Sequence, residues 1–407
     1  MCCMNPSRLL GGALALLPLL VAGCNHHDCD CCPEPAAGAA APAPQQAANI
    51  PQHAAPDAAP PSPRAAKDAL AQAKIPFTPD AFLAAASRGD LPHVQLFLDA
   101  GLAPDARGLN GHTALMWAAA QDRADVVSAL LAAGADVNAK SDDNTTALFN
   151  AAYMGSLASA RILVAKGADI QARRRDGWTP LTAAAVNGRD ALLDLLLQLG
   201  VNPNQADAQG FTPLMYASAN ITEEDTSDRT LKAAQILVAH AADVNAKAAD
   251  GTTALMRAAK KGEAPIVTLL LDHGADIAAR DKEGRTALMY SALLKAPPPA
   301  AKALLKRGAS TSAQDNTGMT ALMYAAKRFQ PGVLKAMLEA DKSSVNAQDK
   351  EGRTALHWAV FKDRPPCITL LLQAGANKEL KDKQNKTALD LANETGDVAL
   401  IKVLSQK

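Results

Sequence analysis

A short segment near the N-terminus carries the side chains of this sequence that are best suited to metal or redox chemistry. Within seven residues it contains two histidines, two aspartates and three cysteines, from His26 to Cys32. A four-ligand zinc site usually takes its ligands as pairs from two separated segments, which this crowded arrangement does not offer. In an oxidising compartment the thiols would instead pair with one another or with another chain. We therefore expect no metal site, and metal handling by this His/Cys segment remains an alternative.

The arrangements that catalysis needs do not occur in the sequence. There is no Gly-x-Ser-x-Gly elbow, no His-Glu-x-x-His pair and no phosphate-binding glycine loop. Lysine plus arginine and aspartate plus glutamate both number 41, so the formal net charge is zero, whereas nucleic-acid binding depends on excess cationic charge. The sequence predicts no enzyme, no catalytic residue, no cofactor, no small-molecule substrate and no nucleic-acid partner.

Residues 1–23 have the organisation of a secretory signal. Arg8 precedes the apolar run Leu9–Ala22, which is too short for a comfortable membrane span. The run ends in Leu-Val-Ala-Gly-Cys at Cys24, which resembles the lipobox of bacterial lipoproteins. The resemblance implies cleavage before Cys24, diacylglycerol on its sulfur and an acyl group on its new amine, and several acyl chains together anchor a protein stably. The alternative is an ordinary cleaved signal with a chance cysteine.

The residue after the lipidated cysteine bears on the membrane that holds it. By analogy with enterobacterial sorting, Asp at this position would indicate the inner membrane, and the sequence has Asn25. We therefore expect the outer membrane, with the protein facing the periplasm. Residues 24–66 form the predicted lipidated N-terminus and tether, since Pro33 to Arg64 is mostly Ala, Pro and Gln and cannot bury a core. A flexible coil of this length reaches roughly 30 Å. Residues 67–77 are predicted to form a short lead-in helix.

The rest of the chain repeats one phrase: Thr, then Ala or Pro, then Leu. The steps between successive threonines are 33, 33, 33, 41, 33, 34, 34 and 33 residues, which indicates a stack of similar supersecondary units. In the clearest copy, Thr253 caps a first helix Ala254–Lys261, and a second helix runs from about Ile266 to Asp272. Gly274 then ends the second helix, and a β-turn finger leads to the next unit. The phrase begins at Thr113, Thr146, Thr179, Thr212, Thr253, Thr286, Thr320, Thr354 and Thr387.

This pattern resembles the ankyrin repeat, whose units read Gly-x-Thr-Pro-Leu-His and later Gly-Ala-Asp-Val-Asn-Ala. The second motif occurs at Gly134–Ala139, and most of it recurs at Gly167–Ile170 and Ala242–Ala246. The resemblance covers residues 78–407 and implies an all-α solenoid of about ten helix-turn-helix units with β-turn fingers. Nine units carry the threonine phrase, and Asp80 is expected to replace threonine as the N-cap of a degenerate first unit.

The sequence departs from the family pattern in two ways. The histidine that follows Thr-Pro-Leu is retained only at His357, and methionine mostly replaces it, which we interpret as core packing rather than a copper-binding surface. Two units also carry extra residues. Residues 221–229 lengthen the connection between two helices, as a tolerated surface loop or, alternatively, a contact arm, and a proline run at 297–299 stiffens the equivalent turn two units later.

The family implies that partners meet the concave face, which is formed by the finger tips and the solvent-facing positions of the first helices. Mapped onto this sequence, the N-terminal half of that face is neutral and aromatic and the C-terminal half is basic. We predict that another envelope protein binds there and is held, protected or inhibited. The alternative is a structural lipoprotein that binds an anionic cell-wall or lipid polymer. The predicted partner-binding residues are Tyr153, Trp178, Phe211, Lys260, Lys261, Arg285, Lys327, Arg328 and Arg353.

Overall fold

The structure is a computed structural model, and it describes residues 61–219, 227–293 and 298–405. All of them belong to one compact unit, Ala59–Lys407. Cys24, the His/Cys segment 26–32 and the tether up to residue 60 lie outside the described residues.

Within these ranges the protein is helical, with one isolated bridge between Gln314 and Thr320 and no β-strand. A lead-in helix is followed by ten helix pairs, which confirms the predicted all-α repeat architecture. None of the helices in the described ranges has the length and apolar character needed to cross a membrane. The helices are α1 (Pro63–Gln72), α2 (Pro79–Arg88), α3 (Leu91–Asp99), α4 (Ala114–Ala120), α5 (Ala124–Ala132), α6 (Ala147–Met154), α7 (Leu157–Ala165), α8 (Pro180–Val186), α9 (Asp190–Gln198), α10 (Pro213–Ala217), α11 (Ser227–Ala239), α12 (Ala254–Lys261), α13 (Ala264–Asp272), α14 (Ala287–Tyr290), α15 (Pro298–Lys306), α16 (Ala321–Lys327), α17 (Pro331–Ala340), α18 (Ala355–Phe361), α19 (Pro365–Gln373), α20 (Ala388–Thr395) and α21 (Val398–Ser405).

The repeated threonine starts the first helix of each unit. In eight of the nine phrases its hydroxyl accepts a hydrogen bond from the backbone N–H three residues later, as at Thr253, where the distance to Met256 is 3.3 Å. This bond satisfies one of the backbone donors that a helix N-terminus leaves without a partner. Thr286 is the exception, because its hydroxyl has no partner within the described residues.

The units stack so that their helices form two rows, one of first helices and one of second helices. First helices pack on first helices, as α4 does on α2 and α6, and second helices pack on second helices, as α5 does on α3 and α7. Alanines on the first helices, such as Ala118 and Ala119, are fully buried and let neighbouring backbones approach closely. Leucines and valines on the second helices fill the space between the rows, so the core runs through the whole stack.

The position three residues after the threonine is buried in every unit from Thr113 to Thr354, with exposures of 0 to 4%. The predicted core packing of the methionines is therefore confirmed. His357 instead forms hydrogen bonds within its own unit and to the next unit. Its Nδ1 accepts from the Thr354 backbone N–H at 3.2 Å, and its Nε2 donates to the carbonyl of Lys386 in the next unit at 3.2 Å. The residues at this position are Met116, Phe149, Thr182, Met215, Met256, Met289, Met323 and His357.

Backbone hydrogen bonds join consecutive fingers. The N–H of Lys282 donates to the carbonyl of Asp250 in the preceding finger at 2.9 Å, and other fingers repeat the contact. At Gly177 (φ +89°) a Cβ would lie 2.6 Å from the backbone nitrogen of Ala208, so this close approach requires glycine. The asparagine of the Gly-Ala-Asp-Val-Asn-Ala motif adds a second tie, since Asn138 Oδ1 accepts the N–H of Asp169 at 2.7 Å.

In four units, a third tie joins the finger to its own first helix. A buried aspartate five residues before the threonine accepts a hydrogen bond from an aromatic side chain nine residues later. Its other oxygen accepts backbone N–H groups of the finger, as Asp315 Oδ1 does from Thr317 and Met319 at 2.8 and 2.9 Å. The finger is therefore held against the helix that it precedes. The pairs are Asp207–Tyr216 at 2.5 Å, Asp281–Tyr290 at 2.7 Å, Asp315–Tyr324 at 2.6 Å and Asp349–Trp358 at 2.8 Å.

Three predicted helix boundaries were wrong. The lead-in helix spans Pro63–Gln72 rather than 67–77, because the Ser62 hydroxyl caps it and a proline at its first position favours a start there. Thr78, not Asp80, is the N-cap of the first unit, and Asp80 lies in the first turn of α2. The second helix in the clearest copy begins at Ala264 rather than near residue 266, since a proline again occupies its first turn.

Residues of both insertions belong to second helices, and one of these helices is lengthened. Residues 227–229 form the first turn of α11, which has 13 residues where most second helices have nine. The predicted loop therefore becomes helix at its C-terminal end, and residues 220–226 lie outside the described part of the chain. Pro298 and Pro299 likewise open α15, a position that suits proline because the first N–H groups of a helix need no intrahelical acceptor.

We predict that replacing Tyr324 with Phe destabilises the stack by about 1–3 kcal/mol, because Asp315 Oδ2 loses its donor in a buried site. Tyr153→Phe is the matched control, since the Tyr153 hydroxyl makes no hydrogen bond to a described residue, and we expect a change within about 0.5 kcal/mol. Urea unfolding followed by circular dichroism measures both. Equal losses in the two variants would show that the finger–helix tie contributes nothing.

A second prediction concerns pH. Burial lowers the pKa of His357 below its ordinary value of about 6.5, and its contact with Lys386 does not offset this. The folded state therefore takes up this proton at lower pH than the unfolded state does, so stability decreases as pH falls through and below about 6.5. We expect His357→Met, the residue most other units have, to lose less stability than the wild type between about pH 7.5 and 5.5. Parallel stability curves would contradict this. His112, whose pKa is also lowered by burial, is present in both proteins and cancels in the comparison.

Candidate functional site

The concave face consists of four positions in each unit: the residue before the capping threonine, and the fourth, seventh and eighth residues after it. The fourth residue lies three and four positions before the other two on one helix, so these three lie on the same side. The first belongs to the finger, which the aspartate tie holds against that helix in the four units that have it. The ties therefore form one surface from residues that are separated in sequence.

An aromatic cluster forms in the N-terminal half of this face. The rings of Trp178 and Tyr216 meet edge to face with centroids 4.8 Å apart, and Trp178 Nε1 donates to the Tyr216 hydroxyl at 3.0 Å. Phe211 lies 5.9 Å from the same tyrosine ring. The structure thus brings two of the predicted aromatic residues together through Tyr216, which the sequence analysis did not select. Tyr153 is half-buried one unit earlier and has no ring contact with them.

Arg285 is engaged inside the protein. Its Nε donates to Asp281 Oδ2 and its Nη2 to Glu283 Oε2, both at 2.7 Å, and Nη2 also reaches the Tyr290 hydroxyl at 3.1 Å. Burial disfavours its charged form, but the hydrogen bond to Asp281 and the attraction of Tyr290, Asp281 and Glu283 together outweigh this and raise the pKa of Arg285. The side chain therefore holds its own finger, and it is a poor candidate for partner contact.

Lys260, Lys261 and Arg328 have a different environment. All three are exposed at the C-terminal ends of α12 and α16, and none forms an ion pair with a described residue. Their charge is available to a partner.

A basic and aromatic group lies around Trp358. Lys327 Nζ stands 3.9 Å from the Trp358 ring centroid, and the Arg353 guanidinium stands 5.3 Å from it. Phe361, which is 55% exposed, packs edge to face on the same ring, and Lys362 Nζ lies 4.8 Å from the Phe361 centroid. Burial and the repulsion of the surrounding cations lower the pKa of Lys327. This group combines exposed apolar surface with cations that have no carboxylate partner among the described residues.

Two kinds of residue on this face were not predicted from the sequence. The finger aspartates and their aromatic partners carry a readable signal, an acidic residue five before the threonine and an aromatic residue four after it. Arg257 is the second kind. It stands at the aromatic position in a unit whose finger has Ala248 in place of aspartate.

The described residues offer no metal centre, because no group of three or more His, Cys, Asp or Glu side chains there could hold an ion. Cys367 is fully buried in α19, and burial raises the pKa of its thiol to about 11. It is therefore unsuited to act as a nucleophile.

Comparison with known proteins agrees with this architecture. The family model described as ankyrin repeats (3 copies) matches residues 82–174, 170–248, 226–315, 295–382 and 322–407. Among solved structures, the chain is similar to the crystal structure of the human ASB11 ankyrin repeat domain. The two share 26% identity over 56% of this chain and 98% of that one, with a TM-score of 0.50. No curated protein matches the chain. On these matches, the chain belongs to the ankyrin repeat family.

Proposed function

We propose that this protein is a lipid-anchored, stoichiometric binder of another protein in a bacterial cell envelope. Ankyrin repeats bind other proteins and typically serve as scaffolds rather than enzymes. The acylated Cys24 holds the chain in the outer membrane, and the Ala/Pro-rich tether presents the repeat stack to the periplasm. The partner is held, protected or inhibited by contact with the concave face.

The cations of the concave face carry this proposal. Lys260, Lys261, Lys327, Arg328 and Arg353 make no ion pair with a described residue, although the fingers beside them contain carboxylates. Asp315 and Asp349, the buried finger aspartates of two of these units, are occupied by aromatic donors and backbone N–H groups. Unpaired cations steer the approach of an acidic partner, and exposed aromatic side chains such as Phe361 supply apolar contact area.

The apolar signal and the lipobox-like sequence support the location. A cleaved signal ending at an acylated cysteine accounts for Leu9–Ala22 and Cys24 together, and the composition of the tether accounts for the distance between anchor and stack.

Cross-linking in intact cells, followed by mass spectrometry of the captured proteins, tests the binding. The bait is the native protein, compared with a variant in which Lys260, Lys261, Lys327 and Arg328 are all replaced by Glu. We expect one protein to be captured by the native bait and lost with the variant, because the charge that attracts it is reversed.

The control bait carries the same change of charge on the second helices, with Lys302, Lys306, Lys335 and Lys402 replaced by Glu. These lysines are exposed on α15, α17 and α21. The control bait should capture the partner as the native bait does. If no bait captures a specific protein, the proposal fails and binding to an anionic envelope polymer becomes the better explanation. Equal loss with both variants would indicate that net charge, and not the concave face, decides capture.

The anchor has its own test. Cells given labelled palmitate should label the wild type and not a Cys24→Ser variant, because acylation requires that thiol. Cys29→Ser is the matched control and should retain the label. Label on the Cys24→Ser variant, or its loss from the control, would place the acyl chain elsewhere.

A further inference from the structure

Arg257 lies in the middle of the concave face, between the aromatic and the basic halves. It is partly buried in α12, and its Nε donates to the carbonyl of Met215 in the preceding unit at 2.9 Å. The guanidinium carbon is 4.5 Å from the Phe211 ring centroid and 5.4 Å from that of Tyr216. The terminal nitrogens have no hydrogen-bond or ion-pair partner among the described residues.

Two carboxylates attract Arg257, those of Asp207 and Asp250, but neither forms an ion pair with it. Asp207 Oδ2 accepts the hydroxyl of Tyr216 at 2.5 Å, and its Oδ1 accepts two backbone N–H groups of its finger. Asp250 Oδ1 accepts both the N–H and the hydroxyl of Thr252. Burial lowers the pKa of Arg257, and the attraction of Tyr216 and of these aspartates does not offset it. A guanidinium in such a place is costly without an anion.

The unit that contains Arg257 lacks the carboxylate that four other units place at this point. In those units the finger aspartate puts one oxygen 2.5 to 2.8 Å from the side chain at the Arg257 position. Here the finger residue is Ala248, which is buried, and the finger keeps its ordinary backbone hydrogen bonds with Thr252 and Gly251. The fold therefore forms this finger normally and omits the acidic group.

We propose that Arg257 receives a carboxylate of the partner protein, an Asp or Glu side chain that takes the place of the missing finger aspartate. The inference rests on the proposed function and specifies the chemistry of the partner. The rings of Phe211 and Tyr216 pack against the methylene groups of the incoming residue, and the guanidinium bonds its carboxylate through two parallel N–H groups. Lys260 and Lys261, at the end of the same helix, attract further acidic residues of the same segment.

The test is Ala248→Asp in the full chain, which supplies the acidic group from the protein itself. Purified wild type and variant are titrated with fluorescein-labelled hexaglutamate, and binding is followed by fluorescence anisotropy. We expect Ala248→Asp and Arg257→Gln each to weaken binding at least about tenfold, the loss of one charge-assisted hydrogen bond or more. The Ala248→Asp variant should also unfold at the same temperature as the wild type or higher, because it restores the finger–helix pair.

Ala249→Asp is the matched control, because it adds the same charge one residue away. Ala249 is exposed, and another unit has an aspartate, Asp142, at the equivalent position. We expect it to weaken binding by less than about threefold, through general repulsion alone. An equal effect of Ala248→Asp and Ala249→Asp overturns the proposal. Wild-type binding by both Ala248→Asp and Arg257→Gln also overturns it, as does a wild type that binds no hexaglutamate.

Inorganic polyphosphate is titrated in parallel. If it binds more tightly than hexaglutamate and loses that affinity in Ala248→Asp, Arg257 takes phosphate and the carboxylate proposal is wrong. These titrations test the role of Arg257 and do not decide the proposed function. A protein captured by the concave face in cells would support that function even if Arg257 played no part.

Discussion

No unit of this protein can bury its apolar surface alone. Each unit is a single pair of helices, and the leucines between the two rows are covered only when the next unit packs on them. The whole architecture follows from that constraint. The threonine starts the helix, small alanines allow the first helices to approach, and glycines let the fingers touch. The exposed side chains of the concave face, such as Lys260 and Phe361, take no part in this core, so their identities are free to serve binding.

The finger aspartate determines which of those side chains remain available. A buried carboxylate needs donors, and it finds them in the backbone of its own finger and in an aromatic or cationic side chain nearby. Arg285 is consumed in this way beside Asp281. Arg353 is not: it forms no ion pair with Asp349, and its guanidinium lies over the rings of Trp358 and Phe361. Two arginines at equivalent positions therefore have different roles, one structural and one exposed to a partner.

The period of the threonine phrase, the capping role of Thr253 and the burial of Met256 could all be predicted from the sequence, because each depends on local spacing. The start of α2 was misplaced because Asp80 and Thr78 are both competent caps and only the following proline distinguishes them. The state of Arg285 and Arg257 could not be predicted from charge alone. Whether a cation is paired depends on which finger carboxylate folds against it, and that is a property of the assembled unit.

Site-specific photo-cross-linking in living cells is the most direct test of the claim that the concave face is the binding surface. A photoreactive residue is placed at Lys261 or Phe361 on that face, or at the exposed Thr268 or Thr369 on the second helices. We expect cross-links to one and the same envelope protein from the first two positions and none from the other two. Cross-links to that protein from the second helices alone would contradict it.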